Sequence, residues 1–125
     1  MYIFVYGTLK KGHPSNKLLK NSEYIGTART AEKFTMFDFG NFPGVLKYAE
    51  EKKDEDGLPQ HMSTFIYGEV YNITAEILET LDRYEGDWYF REEVQLVSGI
   101  RALMYFIRNR PVADYPFVPQ GIWIK

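Results

Sequence analysis

Strand-forming segments in this chain follow one another directly. Only one long stretch between them carries the three- and four-residue period of a helix. Thr64–Asn72 reads TFIYGEVYN, a run of aromatic and β-branched residues. Tyr89–Val97 and Ile100–Ile107 are joined by Ser98-Gly99, a hairpin signal. Tyr24–Thr30 and Lys33–Phe39 lie back to back, with Ala31-Glu32 as the expected break. A doubly wound parallel sheet needs strands and helices in alternation, so this order predicts an α+β fold instead. Counting the remaining segments gives six to seven strands and two helices, with a small mixed sheet that curls into a β-barrel to protect its edges.

The first strand is expected over residues 2–6. Pro14 to Lys20 reads as a short helix that buries Leu18 and Leu19. Gly40-Asn41-Phe42-Pro43-Gly44 is a turn, and a strand resumes over 45–48. The main helix starts at Thr74, a suitable N-cap, repeats Ile77, Leu78, Leu81 and Tyr84 on one face, and stops at Gly86. Gly68, inside a strand, predicts a bulge or a close backbone approach. Residues 49–61, AEEKKDEDGLPQH, read as an exposed, charge-dense loop, and 110–125 as an irregular strap. No stretch has linker character, so 1–125 is expected to be one domain.

Composition narrows the function classes. A net charge of −2 and no evident basic face predict no nucleic-acid or anionic-lipid partner. Zero cysteines remove disulfides, thiolate metal sites and cysteine nucleophiles together. His13 and His61 lie outside any ligand-spaced cluster, so no metal site is expected. No apolar run approaches the ~20 residues of a membrane span, and none near the start resembles a signal peptide. A cytoplasmic protein is the expectation.

Two places can carry chemistry. The first is Tyr6-Gly7-Thr8-Leu9, where a strand ends in glycine. It reads either as a plain turn or, if Gly7 takes positive φ, as a loop whose N–H groups converge on an anion. It is not a phosphate P-loop, because His13 rather than lysine follows Gly12. The second is Glu85, at the end of the main helix, with Tyr84, Trp88, Tyr89 and Phe90 nearby. Exposed, it is an ordinary surface carboxylate. Enclosed by those rings, it would be desolvated and its pKa raised toward neutrality, the setting of a general acid/base. Asp82 and Glu79 share that helix as weaker candidates. No nucleophile elbow exists, and neither Ser15 nor Ser22 has an obvious base.

Six motifs in order extend from residue 2 to about 107. They are Tyr6-Gly7-Thr8-Leu9 with Lys11-Gly12, Asn41-Phe42-Pro43-Gly44-Val45, Tyr67-Gly68-Glu69-Val70-Tyr71, Leu81-Asp82-x-Tyr84-Glu85-Gly86, Tyr89-x-Arg91 and Met104-Tyr105. Together they resemble the γ-glutamylcyclotransferase-like superfamily, nearest its small γ-glutamylamine cyclotransferase branch. The resemblance implies a small mixed β-barrel with flanking helices and a pocket at one end. It implies that Tyr6, Gly7, Thr8 and Leu9 lie under a substrate's glutamyl group and that Glu85 is the acid/base. Tyr89 and Tyr105 join the candidate substrate-binding set. The C-terminus departs from the pattern: relatives often carry glycine-aspartate-tryptophan where this chain has Gly121-Ile122-Trp123.

The implied reaction is cyclisation of a γ-glutamyl amine to 5-oxoproline and a free amine, through attack of the substrate's own α-amino group. It calls for no cofactor, and its partner is a small-molecule γ-glutamyl substrate. Two alternatives stand beside it: the same reaction on another γ-glutamyl compound, and a non-catalytic module that binds a small carboxylate. The oligomeric state is left open by the sequence.

Overall fold

Along β1, Tyr2–Val5, side chains alternate between two apolar surfaces. Ile3 and Val5 enter one cluster with Leu9, Leu19, Tyr71, Ile73, Leu81 and Tyr105. Phe4, with Tyr6 just beyond, enters another with Phe34, Met36, Val45, Ile66, Met104 and Phe106. A strand buried on both faces must be central, and β1 is. In this computed structural model, which describes residues 1–47, 63–108 and 114–124, six strands form one sheet. The others are β2 Glu23–Asp38, β3 Pro43–Leu46, β4 Thr64–Asn72, β5 Tyr89–Gln95 and β6 Arg101–Ile107. Their order is β3-β2-β4-β1-β6-β5. β1 pairs parallel with β6 and antiparallel with β4, so the sheet is mixed.

The fold is α+β, as the order of segments predicts, with six strands. The curl, however, stops short of a hydrogen-bonded barrel: β3 and β5 remain edges. A single bridge, Thr30 to Leu96, with Val97 N–H donating to Arg29 O at 3.0 Å, ties the bend of β2 to the end of β5.

The two strands expected at 24–30 and 33–39 are one long strand. The predicted break at Ala31-Glu32 is a register shift between Arg29 and Lys33. Fully buried Thr30 makes it tolerable, because its hydroxyl donates to Glu32 O (2.7 Å) and accepts from Ile66 N–H (3.0 Å). Polar groups exposed by the irregularity are thus satisfied locally. Gly68 fulfils the second of its two options. A Cβ there would stand 2.2 Å from Val5 O, so β4 passes β1 at a distance only glycine permits.

Helix α1, Ala75–Glu85, is capped as the sequence predicts. Thr74 Oγ1 accepts from Ile77 N–H at 3.2 Å, and Gly86 ends the helix at φ 70° with its N–H on Asp82 O. Leu81 is fully buried against the sheet, with Ile77 and Leu78 beside it. Pro14–Leu19 is a 3₁₀ helix that buries Leu19 in the same cluster. The strap is docked through Pro116, Val118 and Gly121, whose backbones bond to Asp38, Met36 and Tyr67. Trp123 is buried, and its Nε1–H donates to Asp38 Oδ1 at 3.3 Å. The loop expected at 49–61 lies outside the described residues. No helix among the described residues is long and apolar enough to cross a membrane.

Candidate active site

A cavity of about 520 Å³ opens where β1 ends. Three segments far apart in sequence build it: Phe4–Leu9, the turn Asn41–Pro43, and the end of α1 with its continuation, Tyr84, Glu85, Trp88 and Tyr89; Tyr105 of β6 completes the lining. All seven sequence-nominated residues, Tyr6, Gly7, Thr8, Leu9, Glu85, Tyr89 and Tyr105, are in that lining. Phe90, expected beside Glu85, is not. It packs on the sheet's inner side, stacked on Phe106 at 5.7 Å, because successive residues of β5 face opposite ways.

Glu85 is half-buried, and desolvation lifts its carboxyl from the ordinary range to about 7. Its place at the negative end of α1 acts in the same direction. Three residues earlier, Asp82 behaves oppositely. Arg91 of β5 donates to it through Nε (2.9 Å) and an Nη (3.2 Å), and the Tyr105 hydroxyl donates to Oδ1 at 2.6 Å. Partial desolvation works upward on Asp82, but these hydrogen bonds outweigh it and hold the carboxyl below its usual value. Tyr105 is in turn pushed up, by burial first and then by Asp82. Asp82 was within reach of the sequence, since it sits with Glu85 at i and i+3 on one face. Its partners were not, because nothing in the sequence fixes β5 beside α1.

Gly7 has a different reason from the one expected. It does not adopt positive φ; instead, an added Cβ would meet Pro43 Cγ and Cδ at 2.7 and 2.8 Å. Glycine is required for close packing of the first loop against the 40–44 turn. The loop is held by its carbonyls. Lys10 N–H donates to Gly7 O at 3.0 Å, and Asn16 Nδ2 donates to Leu9 O at 2.7 Å. The N–H groups of Gly7, Thr8 and Leu9 find no acceptor among the described residues. Thr8 Oγ1 and the Tyr84 hydroxyl share a hydrogen bond of 2.8 Å, which ties the loop to the end of α1. Tyr6, whose hydroxyl donates to Tyr105 O at 2.7 Å and accepts from Val45 N–H, is pushed well up by burial, then by Tyr89 and Glu85. Lys10 is not the free surface group its neighbours suggest: it is partly buried, and its ammonium donates to Trp123 O at 2.9 Å.

Of the far wall, the sequence nominated Tyr89 and set Trp88 near Glu85, but it missed Phe42 as a site residue. Phe42 meets Trp88 edge-on at 5.7 Å and Tyr89 at 6.4 Å, and the Tyr89 hydroxyl donates to Pro43 O at 2.8 Å. The Asn41-Phe42-Pro43 motif was the available signal.

A curled mixed sheet with a helix-end glutamate facing into a lined cavity defines a small-molecule-binding class of domain. Within that class, residues 3–125 match the model of the family described as gamma-glutamyl cyclotransferase, AIG2-like, and the chain belongs to that family. A protein of Methanocaldococcus jannaschii, provisionally named a gamma-glutamylcyclotransferase, is 35% identical over 112 residues, covering 84% of this chain and 82% of its own. Gamma-glutamylaminecyclotransferase B of Danio rerio is 38% identical over 103 residues, 75% of this chain but 48% of its own. This chain therefore spans about half the length of that relative. The crystal structure of a mouse AIG2-like protein shares the fold, with a TM-score of 0.72 over 95% of this chain and 86% of that one, at 23% identity.

Proposed function

We propose that this protein converts a γ-glutamyl amine to 5-oxoproline and a free amine, with Glu85 as general acid/base. The observation that carries this reading is the pairing, in one cavity, of a carboxyl raised to about 7 with three backbone N–H groups that have no acceptor among the described residues.

The Gly7–Leu9 amides would hold an anionic oxygen, either the substrate's α-carboxylate or the oxyanion that develops on its γ-carbonyl. The Glu85 carboxylate takes a proton from the substrate's α-ammonium. The freed amine attacks the γ-carbonyl carbon, forming the new C–N bond of a five-membered ring. Glu85 then returns that proton to the departing nitrogen as the old C–N bond breaks, and the second proton that the ring nitrogen sheds on becoming a lactam N–H ends on the released amine, which leaves as an ammonium. Nucleophile and electrophile belong to one molecule, so the reaction requires no cofactor. Holding the substrate folded toward the ring supplies part of the barrier reduction, up to roughly 7–11 kcal/mol in well-oriented intramolecular cases.

The raised carboxyl suits the task. An α-ammonium near ~8 lies roughly one unit above a carboxyl at about 7 but roughly four above an ordinary glutamate, and each unit is about 1.4 kcal/mol. Proton transfer to Glu85 is therefore nearly level. The same value leaves its conjugate acid strong enough to protonate the leaving nitrogen.

The test is Glu85→Gln, assayed for 5-oxoproline release from γ-glutamyl alkylamides. A loss of about a thousandfold in kcat, with a melting temperature no lower than that of the wild type, is expected. Turnover at the wild-type rate would overturn the mechanism.

A further inference from the structure

Lys10 N–H, donating to Gly7 O at 3.0 Å, closes a turn in which Thr8 and Leu9 are the central residues. Their N–H groups take no part in the closing bond. Behind the turn runs a chain of hydrogen bonds that the proposed reaction does not use. Asn16, on the 3₁₀ helix, donates from its side-chain amide to Leu9 O at 2.7 Å and to the Tyr71 hydroxyl at 3.1 Å. Tyr71, buried on β4, donates in turn to Glu69 Oε1 at 3.0 Å, and the same oxygen accepts from Lys11 N–H at 2.9 Å. The direction of each bond is fixed by its ends. A peptide carbonyl can only accept, so Asn16 must present its nitrogen, and Tyr71, accepting there, keeps its own proton for the carboxylate. Burial above all pushes the Tyr71 phenol up to about 12, so that proton is in place at neutral pH. Two of the six sequence motifs, Lys11-Gly12 and Tyr67–Tyr71, meet in this chain of bonds. Asn16, Glu69 and Tyr71 are not lining residues of the cavity. They pin the turn from outside, at Leu9 O and Lys11 N–H, while the bond from Thr8 to Tyr84 pins it from the cavity side.

We propose that Asn16, anchored through Tyr71 to Glu69, is the positioning residue that holds the Gly7–Leu9 turn in shape to receive the substrate's anionic oxygen. This rests on the cyclotransferase reading and deepens it. The Leu9–Lys10 peptide is held at both ends, its oxygen by Asn16 and its N–H by Gly7 O, so the plane cannot rotate without losing a bond. The same grip keeps the Leu9 carbonyl on Asn16, where a released carbonyl would be able to turn toward the anion and repel it. Donors fixed before the substrate arrives need no ordering on binding and no reorganisation in the transition state.

The decisive variant is Asn16→Asp, which keeps the shape of the side chain and removes its donors. Its kcat/KM for γ-glutamyl-methylamide should fall about 10- to 100-fold, the range in which small displacements of binding groups act. Leu18→Ala is the control. It trims the same 3₁₀ helix at a partly buried leucine and leaves the bonds of Asn16 in place, so kcat/KM should change less than threefold. An equal fall in both variants, or no fall in Asn16→Asp, places Asn16 in general packing and overturns the proposal. Should Asn16→Asp not fold, Tyr71→Phe keeps the buried ring and cuts only the anchor. It should lose about tenfold, and an unchanged value overturns the proposal as well. Glu69→Gln, which retains an acceptor oxygen, should lose less than Glu69→Ala; the opposite order overturns the anchor. A second readout needs no turnover. On Glu85→Gln, γ-glutamyl-methylamide should move the Thr8 and Leu9 amide-proton resonances downfield, and adding Asn16→Asp should remove most of that shift. Shifts that survive unchanged overturn the positioning role. If the wild type releases no 5-oxoproline while the shifts depend on Asn16, the positioning stands and the reaction falls. Turnover indifferent to Asn16 does the reverse.

Discussion

Two carboxylates leave the last turns of α1 toward the same sheet and meet opposite surroundings. Around Asp82, β5 and β6 supply a guanidinium and a phenol, and the carboxyl is held down. Around Glu85, the first loop and the ring wall supply a desolvating lining, and the carboxyl rises to about 7. One helix and a spacing of three residues therefore give one carboxyl held down as an anion and one raised toward neutrality. The difference lies in what the sheet offers opposite each side chain. A carboxylate with complementary donors becomes structure, while one enclosed without them becomes reactive.

The sharpest way to break the comparison is to neutralise each carboxylate in turn. Glu85→Gln should remove about a thousandfold of activity and leave the fold intact, whereas Asp82→Asn should cost about tenfold or less in kcat. The Asp82 change should instead lower stability by about 1–2 kcal/mol, the loss of a half-exposed ion pair and one hydrogen bond. Steady-state kinetics beside chemical denaturation separate the two. A larger activity loss at Asp82 than at Glu85 would reverse the assignment.

The pH dependence of stability tests the same contrast at intermediate size. Glu85 has a folded pKa above its unfolded one. Its contribution is fully present below about pH 4 and is lost as pH rises to about 7. Glu85→Gln should therefore be the more stable protein at pH 8, by about 2–3 kcal/mol, and the difference should vanish near pH 4. Asp82 has a depressed folded pKa, so its contribution is present above the unfolded value and lost as pH falls through the folded one. Asp82→Asn should flatten only the acid end. Denaturation curves at pH 3, 5 and 8 check both signs.

How much of this was legible in the sequence follows from which interactions are local. The cap at Thr74, the stop at Gly86 and the buried face of α1 are set by neighbours along the chain, and they form where the pattern puts them. The break predicted in β2 failed because a buried hydroxyl from Thr30 repairs the bulge, using β4 as partner. The reason for Gly7 was also non-local: Pro43 presses on it from 36 positions away. The candidate site shows the same division. The seven residues nominated for the site are in the cavity lining, while Phe90 and the weaker candidates Asp82 and Glu79 are not. The ring wall and the Asp82–Arg91–Tyr105 link depend on strand order, which no period along the chain encodes.

The smallest expected effect lies in the link itself. Tyr6, Tyr89 and Tyr105 line the cavity with Glu85 from the sheet side, Tyr84 and Asp82 flank it on α1, and Arg91 is linked to that group through Asp82. Arg91→Met would leave the Asp82 carboxylate with only the Tyr105 hydroxyl as donor, one helical turn from Glu85. The uncompensated charge would disfavour ionisation of Glu85 further. The acid limb of kcat/KM, expected near 7 in the wild type, should move up by about half a pH unit, with the plateau rate changed less than threefold. The limb should return when Asp82→Asn is added, because the second change removes the charge that the first one exposed. A limb that stays in place in Arg91→Met would mean that solvent screens Asp82 from Glu85, and the two carboxylates would then be neighbours without being coupled.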